Sequence, residues 1–184
     1  VFRDPTLDFP FQPFQHQMEG VAFLFPRQAA ILADEMGLGK TMQAITALRM
    51  LLHAGHVKNV LLICPKPLVT NWQREFAAWA PEIPLAIVEG STSKRAFLWQ
   101  QDTIPVKIAN YELLMRDQAE VLGEDKQYDL VILDEAQRVK NSSSTTAKTI
   151  HQISRQRSWA LTGTPIENSV NDLHGIFEFL LPGY

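Results

Sequence analysis

One cysteine in 184 residues, Cys64, excludes a disulfide framework and a cysteine metal site. It stands before Pro65 at the end of an apolar run, where a small buried residue is expected. The histidines (His16, His53, His56, His151 and His174) show no metal-ligand spacing. No apolar run approaches the roughly 18 residues that a membrane span needs, and no charged-then-apolar leader opens the sequence. The chain lacks an excess of positive charge. A formal net charge of -3 argues against holding a polyanion by bulk charge, though it leaves room for a local basic stripe. These absences fit a reducing compartment, cytoplasmic in a bacterium or nuclear in a eukaryote, with no membrane partner. Repeats and low-complexity linkers are also missing.

What is present is enough apolar residue, 46%, to bury one full core. Residues 1–13 are rich in proline and phenylalanine and read as an irregular lead-in; residues 14–184 read as one domain. Short, continuously apolar runs predict strands at Ala29–Ala33, Asn59–Cys64, Leu85–Val88, Val106–Ala109, Leu130–Leu133 and Trp159–Leu161. Helical periods predict helices at Gln15–Phe25, Lys40–Leu52, Val69–Trp79, Thr145–Ile153 and Asn168–Leu180. The cluster Ser142–Thr146 is expected to cap a helix. Strands apolar throughout are buried on both faces, and their alternation with helices predicts an open, mainly parallel, doubly wound α/β sheet. In such sheets ligands bind at the carboxyl ends of strands.

Two motifs fall at such ends. Met36-Gly37-Leu38-Gly39-Lys40-Thr41 follows one strand and opens a helix. Backbone amides at a helix start favour phosphate, and Gly37 and Gly39 let the backbone approach it closely. Lys40 supplies a charge near the β and γ phosphates, and Thr41 a hydroxyl for magnesium. Leu38 and Met42 flank these groups and are counted with them in the nucleotide site. Asp34 stands where the usual first glycine of such a loop would be. The second motif is Asp134-Glu135, directly after Leu130–Leu133. Asp134 can reach the same cation as Thr41. Glu135 is then placed to orient or deprotonate a water. Together the two motifs predict hydrolysis of a nucleoside triphosphate, ATP with Mg²⁺.

Six segments in order resemble the Swi/Snf-type ATPases, a branch of the superfamily-two helicase-like motors. Ala33 to Ile45 is similar to the first motif, in which aspartate commonly takes the position of Asp34. Cys64-Pro65-Lys66 with Asn71-Trp72 and Glu75 resembles the second, and Ile108 to Glu112 a third, with Asn110 departing from the usual threonine. Asp134 to Asn141 resembles the extended Walker B segment, with Gln137 in place of the more frequent histidine. Leu161 to Asn168 resembles motif III, and His16 to Val21 the glutamine segment that reads adenine.

That resemblance implies a RecA-like lobe and assigns further roles. Gln17 would contact adenine, with Gln15 close enough to compete. Gln137, Thr162 and Thr164 would couple the site to a second RecA-like lobe of the same protein. Lys66, Asn71, Asn110, Lys140 and Asn141 would touch the backbone of double-stranded DNA, and a protein complex bound to that DNA is a further implied partner. Lys66 and Lys140 are equally readable as solvated lysines. Trp72 is read as a core residue of its helix, and Lys94 and Arg95 as a solvated helix start. The implied activity is a DNA-stimulated ATPase that translocates on DNA or remodels protein bound to it. The second lobe, with its arginine finger, is expected to lie outside this sequence, so the lobe alone would bind ATP but scarcely hydrolyse it. A strand-separating DNA or RNA helicase and a non-hydrolysing ATP-binding module are the alternatives.

Overall fold

The computed structural model describes residue 9 and residues 12–33, 37–163 and 170–183; for residues 170–173 only the backbone is described. Among these residues six strands form one all-parallel sheet: β1 (Ala29–Leu32), β2 (Val60–Cys64), β3 (Leu85–Ile87), β4 (Val106–Asn110), β5 (Tyr128–Leu133) and β6 (Arg155–Leu161). Their spatial order is β1-β6-β5-β2-β4-β3. The helices are α1 (Gln15–Leu24), α2 (Lys40–His53), α3 (Val69–Trp79), α4 (Thr92–Trp99), α5 (Tyr111–Arg116), α6 (Gln118–Val121), α7 (Thr145–His151) and α8 (Val170–Leu180), with 3-10 turns at Lys66–Leu68 and Ala136–Val139.

The strands are apolar on both faces because both faces are covered. Leu62, Ile132 and Trp159 pack with Leu24, Ile45, Leu48 and Phe76, from α1, α2 and α3. Leu61, Ile63, Val131 and Leu133 point the other way, into a second core with Trp99, Leu114, Val121, Ile150 and Phe179, from α4 to α8. Each large aliphatic side chain so buried stabilises the fold by about 1.5–3 kcal/mol. Ser144 caps α7, its Oγ accepting from the Ala147 amide at 3.1 Å. No helix of the described residues is long and apolar enough to cross a membrane.

Strand register sets the site. Leu32 lies opposite Leu161, Ala160 opposite Leu133, Leu133 opposite Ile63, and Cys64 opposite Asn110. The strands therefore end nearly level. Ala33, Thr162, Asp134, Pro65 and Tyr111, the residues that follow, form a row along one edge. Two ladder bonds extend into this row: Thr162 N–H to Leu32 O at 3.1 Å and Asp134 N–H to Ile63 O at 2.8 Å.

Two positions depart from the sequence expectation. Arg95 is buried rather than solvated. Its guanidinium grips both carboxylate oxygens of Asp117 at 2.8 Å and donates to Gly90 O at 2.7 Å. Strand β6 begins four residues before the apolar run Trp159–Leu161. Arg155 opens it because its guanidinium collects the carbonyls of Ile150, His151, Ile153 and Phe179 at the ends of α7 and α8. Burial lowers its pKa to about 10.

Candidate active site

Gly37 and Gly39 have φ of 89° and 80°, the left-handed region that glycine enters without strain. Gly39 is the residue before α2, whose first turn is Lys40, Thr41 and Met42. The amides of a helix's first turn point out of its end, as donors to an anion. Leu38 is exposed and Met42 is buried, so Met42 brings its backbone to this end and its side chain to the core. Gln43 braces the turn from below, donating from Nε2 to Leu38 O at 3.1 Å. Asp34, expected in the nucleotide site, lies outside the described residues.

The two candidate adenine readers separate clearly. Gln15 is exposed and donates to Glu19 Oε1 at 3.0 Å. Gln17 turns toward the phosphate loop: its Nε2 lies 2.7 Å from where a Cβ on Gly39 would be. Its Oε1 accepts the Phe14 amide at 2.9 Å, so its NH₂ is the group left facing the site. Beside it, a largely apolar slot of about 450 Å³ is walled by His16, Gly20, Phe23, Ile31 and Leu38. A planar base suits such a slot.

Asp134 and Glu135 sit at the centre of the row. Asp134 Oδ1 accepts the Glu135 amide at 2.9 Å, and Oδ2 accepts the Trp72 indole N–H at 2.8 Å. Burial pushes the Asp134 carboxyl above its ordinary pKa; the Trp72 bond and the charge of Lys40 pull it back. Each carboxylate oxygen keeps a further lone pair. With the Thr41 hydroxyl these oxygens would make a hard donor set of the kind magnesium takes, completed by water or phosphate oxygens.

Glu135 has φ 52° and ψ 51°, the one non-glycine positive φ among the described residues. Such a conformation costs on the order of 1–3 kcal/mol and persists only where its surroundings impose it. They do so here. Gln137 Nε2 donates to Glu135 Oε2 at 2.5 Å, and Thr162 Oγ donates to Gln137 Oε1 at 2.9 Å. Thr162, Gln137 and Glu135 are thus one hydrogen-bonded chain across the ends of β6 and β5. Thr164 lies outside the described residues.

Next to this row is a cavity of about 710 Å³, walled by Lys66, Thr70 and Gln73 on one side and Asn110, Glu112 and Arg116 on another. Lys66 is exposed; Asn110 is buried and caps α5, its Oδ1 accepting the Leu113 amide at 2.9 Å. Asn71 Oδ1 accepts from Arg74 at 3.0 Å. Asn141 is exposed, and its Oδ1 takes the Ser143 amide at 3.1 Å and hydroxyl at 2.6 Å. Lys140 is exposed in the same turn.

The sequence reading missed three participants. Trp72 is core, as read, but its indole also holds Asp134. Tyr111 donates its hydroxyl to Asp134 O at 2.7 Å. Gly175 on α8 lies against the backbone of Val139 and Lys140. For Trp72 a signal existed: a buried indole N–H needs an acceptor.

The fold recurs in known proteins. A family model described as SNF2-related domain matches residues 16–184. The zebrafish (Danio rerio) DNA excision repair protein ERCC-6-like is 38% identical over 182 residues, 92% of this chain and 12% of that protein. The yeast (Saccharomyces cerevisiae) ISWI chromatin-remodeling complex ATPase ISW1 is 35% identical over 190 residues, 98% of this chain and 17% of the protein. The chain thus spans a fifth or less of the length of these relatives. Among solved structures, the Sulfolobus solfataricus SWI2/SNF2 ATPase core in complex with dsDNA superposes with a TM-score of 0.87 at 29% identity. The match covers 96% of this chain and 37% of that one. Phosphate loop, strand-end acids, RecA-like sheet and family match agree along nearly the whole length, and the chain belongs to the SNF2-related family.

Proposed function

We propose that the chain is the nucleotide-holding lobe of a two-lobed ATPase, stimulated by duplex DNA, that translocates on DNA or remodels protein bound to it. The observation that carries this reading is the row of strand ends. It sets the phosphate loop, Asp134-Glu135 and the Thr162–Gln137 bridge on one edge, with the Lys66 cavity beside it. The names of the relatives, a chromatin-remodeling ATPase and a core bound to dsDNA, support it.

Lys40 and the first-turn amides of α2 would hold the β and γ phosphates. Gln17 would bond the adenine, against the slot at Phe23 and Leu38. Thr41 and Asp134 would hold magnesium, which would offset the charge of the phosphates. Glu135 would orient the attacking water and accept its proton, held in place by Gln137. Through Thr162, and Thr164 beyond it, that hold would reach the edge against which a second lobe closes. Lys66 and Lys140 would meet DNA phosphates as cations. Asn71, Asn110 and Asn141 each spend Oδ1 internally, which leaves their NH₂ groups, the end that suits a phosphate.

Charge developing on the transferred phosphoryl group still needs a cation from the facing lobe, and an arginine finger is worth roughly 10³–10⁵ in rate. Steady-state ATP hydrolysis by the two-lobed protein and by this chain, each with and without duplex, tests the reading. DNA-stimulated turnover is expected of the first and negligible turnover of the second. Turnover of the two-lobed protein that ignores duplex would overturn it.

A further inference from the structure

The 710 Å³ cavity has two walls that matter here. One runs from Lys66 into α3, and the other is the Asn110–Leu113 corner where β4 enters α5. Each wall sends one buried aromatic side chain away from the cavity, and both reach the same residue. Trp72, on α3, is 1% exposed and gives its indole N–H to Asp134 Oδ2 at 2.8 Å. Tyr111, between the cavity residues Asn110 and Glu112, is 2% exposed and gives its hydroxyl to Asp134 O at 2.7 Å. A third connection joins the second wall to the turn after Asp134. Arg138 sits over the Tyr111 ring at 5.4 Å and pairs with Glu112 at 3.3 Å.

Core packing alone does not ask for these polar ends. Trp72 already packs on Phe76, with ring centroids 6.2 Å apart, and a phenylalanine would fill much of that space. A buried N–H or O–H, however, is costly to leave unpaired. When either wall shifts, its aromatic must carry Asp134 along or lose that bond.

We propose that Trp72 and Tyr111 are positioning residues through which a duplex DNA backbone seated in this cavity acts on Asp134. The proposal rests on the ATPase reading above. It makes cavity and carboxylate one coupled unit, and such coupling is reciprocal: what DNA does to magnesium binding, magnesium does to DNA binding.

The test uses the two-lobed protein, a fluorescent non-hydrolysable ATP analogue as probe, and Mg²⁺ titrations with and without a duplex oligonucleotide. In the wild type, duplex should lower the half-saturating Mg²⁺ concentration by about fivefold or more. In Trp72→Phe and in Tyr111→Phe, which keep a ring and lose the donor, the shift should fall below about twofold. Trp99→Phe is the control: its buried indole bonds Asp117 at 3.0 Å, away from the row, and the wild-type shift should persist. Should Trp72→Phe not fold, Tyr111→Phe decides. An unchanged shift in the folded variants overturns the proposal, as does its loss in Trp99→Phe as well. So does a wild type whose ATP turnover responds to duplex while its Mg²⁺ midpoint does not. A wild type that responds in neither way fails at the earlier step, the DNA-stimulated ATPase itself.

Discussion

Replacing Gly175 by alanine should loosen the Ala136–Val139 turn from behind. A Cβ there would stand 2.1 Å from Val139 O and 2.5 Å from Lys140 O. Both obstacles are backbone, so neither can rotate aside. Opening the closer contact to the 3.0 Å that Cβ atoms respect means moving α8 off the Ala136–Val139 turn by roughly 0.9 Å. Overpacking costs about 1–3 kcal/mol, and two backbone obstacles that cannot give way put this position in the upper part of that range, about 2–3 kcal/mol. Alanine's helix propensity returns about 0.8–1 kcal/mol. The net loss is then about 1–2 kcal/mol, or a fall in Tm of about 2–8 °C for a chain of this size. Gly123 is the comparison. Its added Cβ would meet nothing closer than 3.4 Å, so Gly123→Ala should leave Tm unchanged or raise it slightly. Thermal unfolding of both variants by calorimetry reads the difference. The displaced turn also carries Gln137, so Gly175→Ala in the two-lobed protein should lower turnover more than nucleotide affinity. An unchanged Tm for Gly175→Ala would refute the close-packing argument.

Three further outcomes are expected. Lys40→Ala should weaken Mg-ATP binding in a calorimetric titration, because it removes the side-chain cation of the phosphate loop; equal affinities would sink that assignment. The hydrogen-bonded Arg95 guanidinium holds the Asp117 carboxyl below its ordinary pKa. Stability from this pair is therefore present above the usual carboxylate range near pH 4 and is lost as pH falls through the lower folded value. Asp117→Asn should be less stable than the wild type at neutral pH, with the two Tm curves converging in acid; a constant gap would contradict the sign. Duplex binding by this chain, of net charge -3, should be weak, salt-sensitive and indifferent to sequence. Lys66→Ala should weaken it evenly and reduce the salt slope by about 1, as fluorescence anisotropy at several salt concentrations would show.

The sheet was legible because its strands are buried on both faces: Val60–Cys64 and Leu130–Leu133 read as unbroken apolar runs. Helix α2 declared itself by its glycines and its apolar face. The polar start of β6 was not legible. Arg155 is held there by carbonyls that only the folded ends of α7 and α8 bring together. Arg95 read as solvated for a similar reason, since its partner Asp117 comes 22 residues later, past β4 and α5. The short helices α5 and α6 are each under two turns and leave little periodic signal. At the site, the residue types of Lys40, Thr41, Asp134 and Glu135 announced a chemistry through local spacing. The Thr162–Gln137 bridge and the pairing of Trp72 with Asp134 join positions far apart in sequence, and they and the left-handed backbone of Glu135 needed the fold.

Glu135→Gln in the two-lobed protein tests the central claim most directly, with ATP binding and DNA-stimulated turnover measured on the same preparation. Glutamine keeps the shape of the side chain and removes the base. Binding should stay near wild type while turnover falls by about 10²–10⁴-fold, the usual contribution of a general base. Turnover near the wild-type rate, with binding intact, would contradict the account.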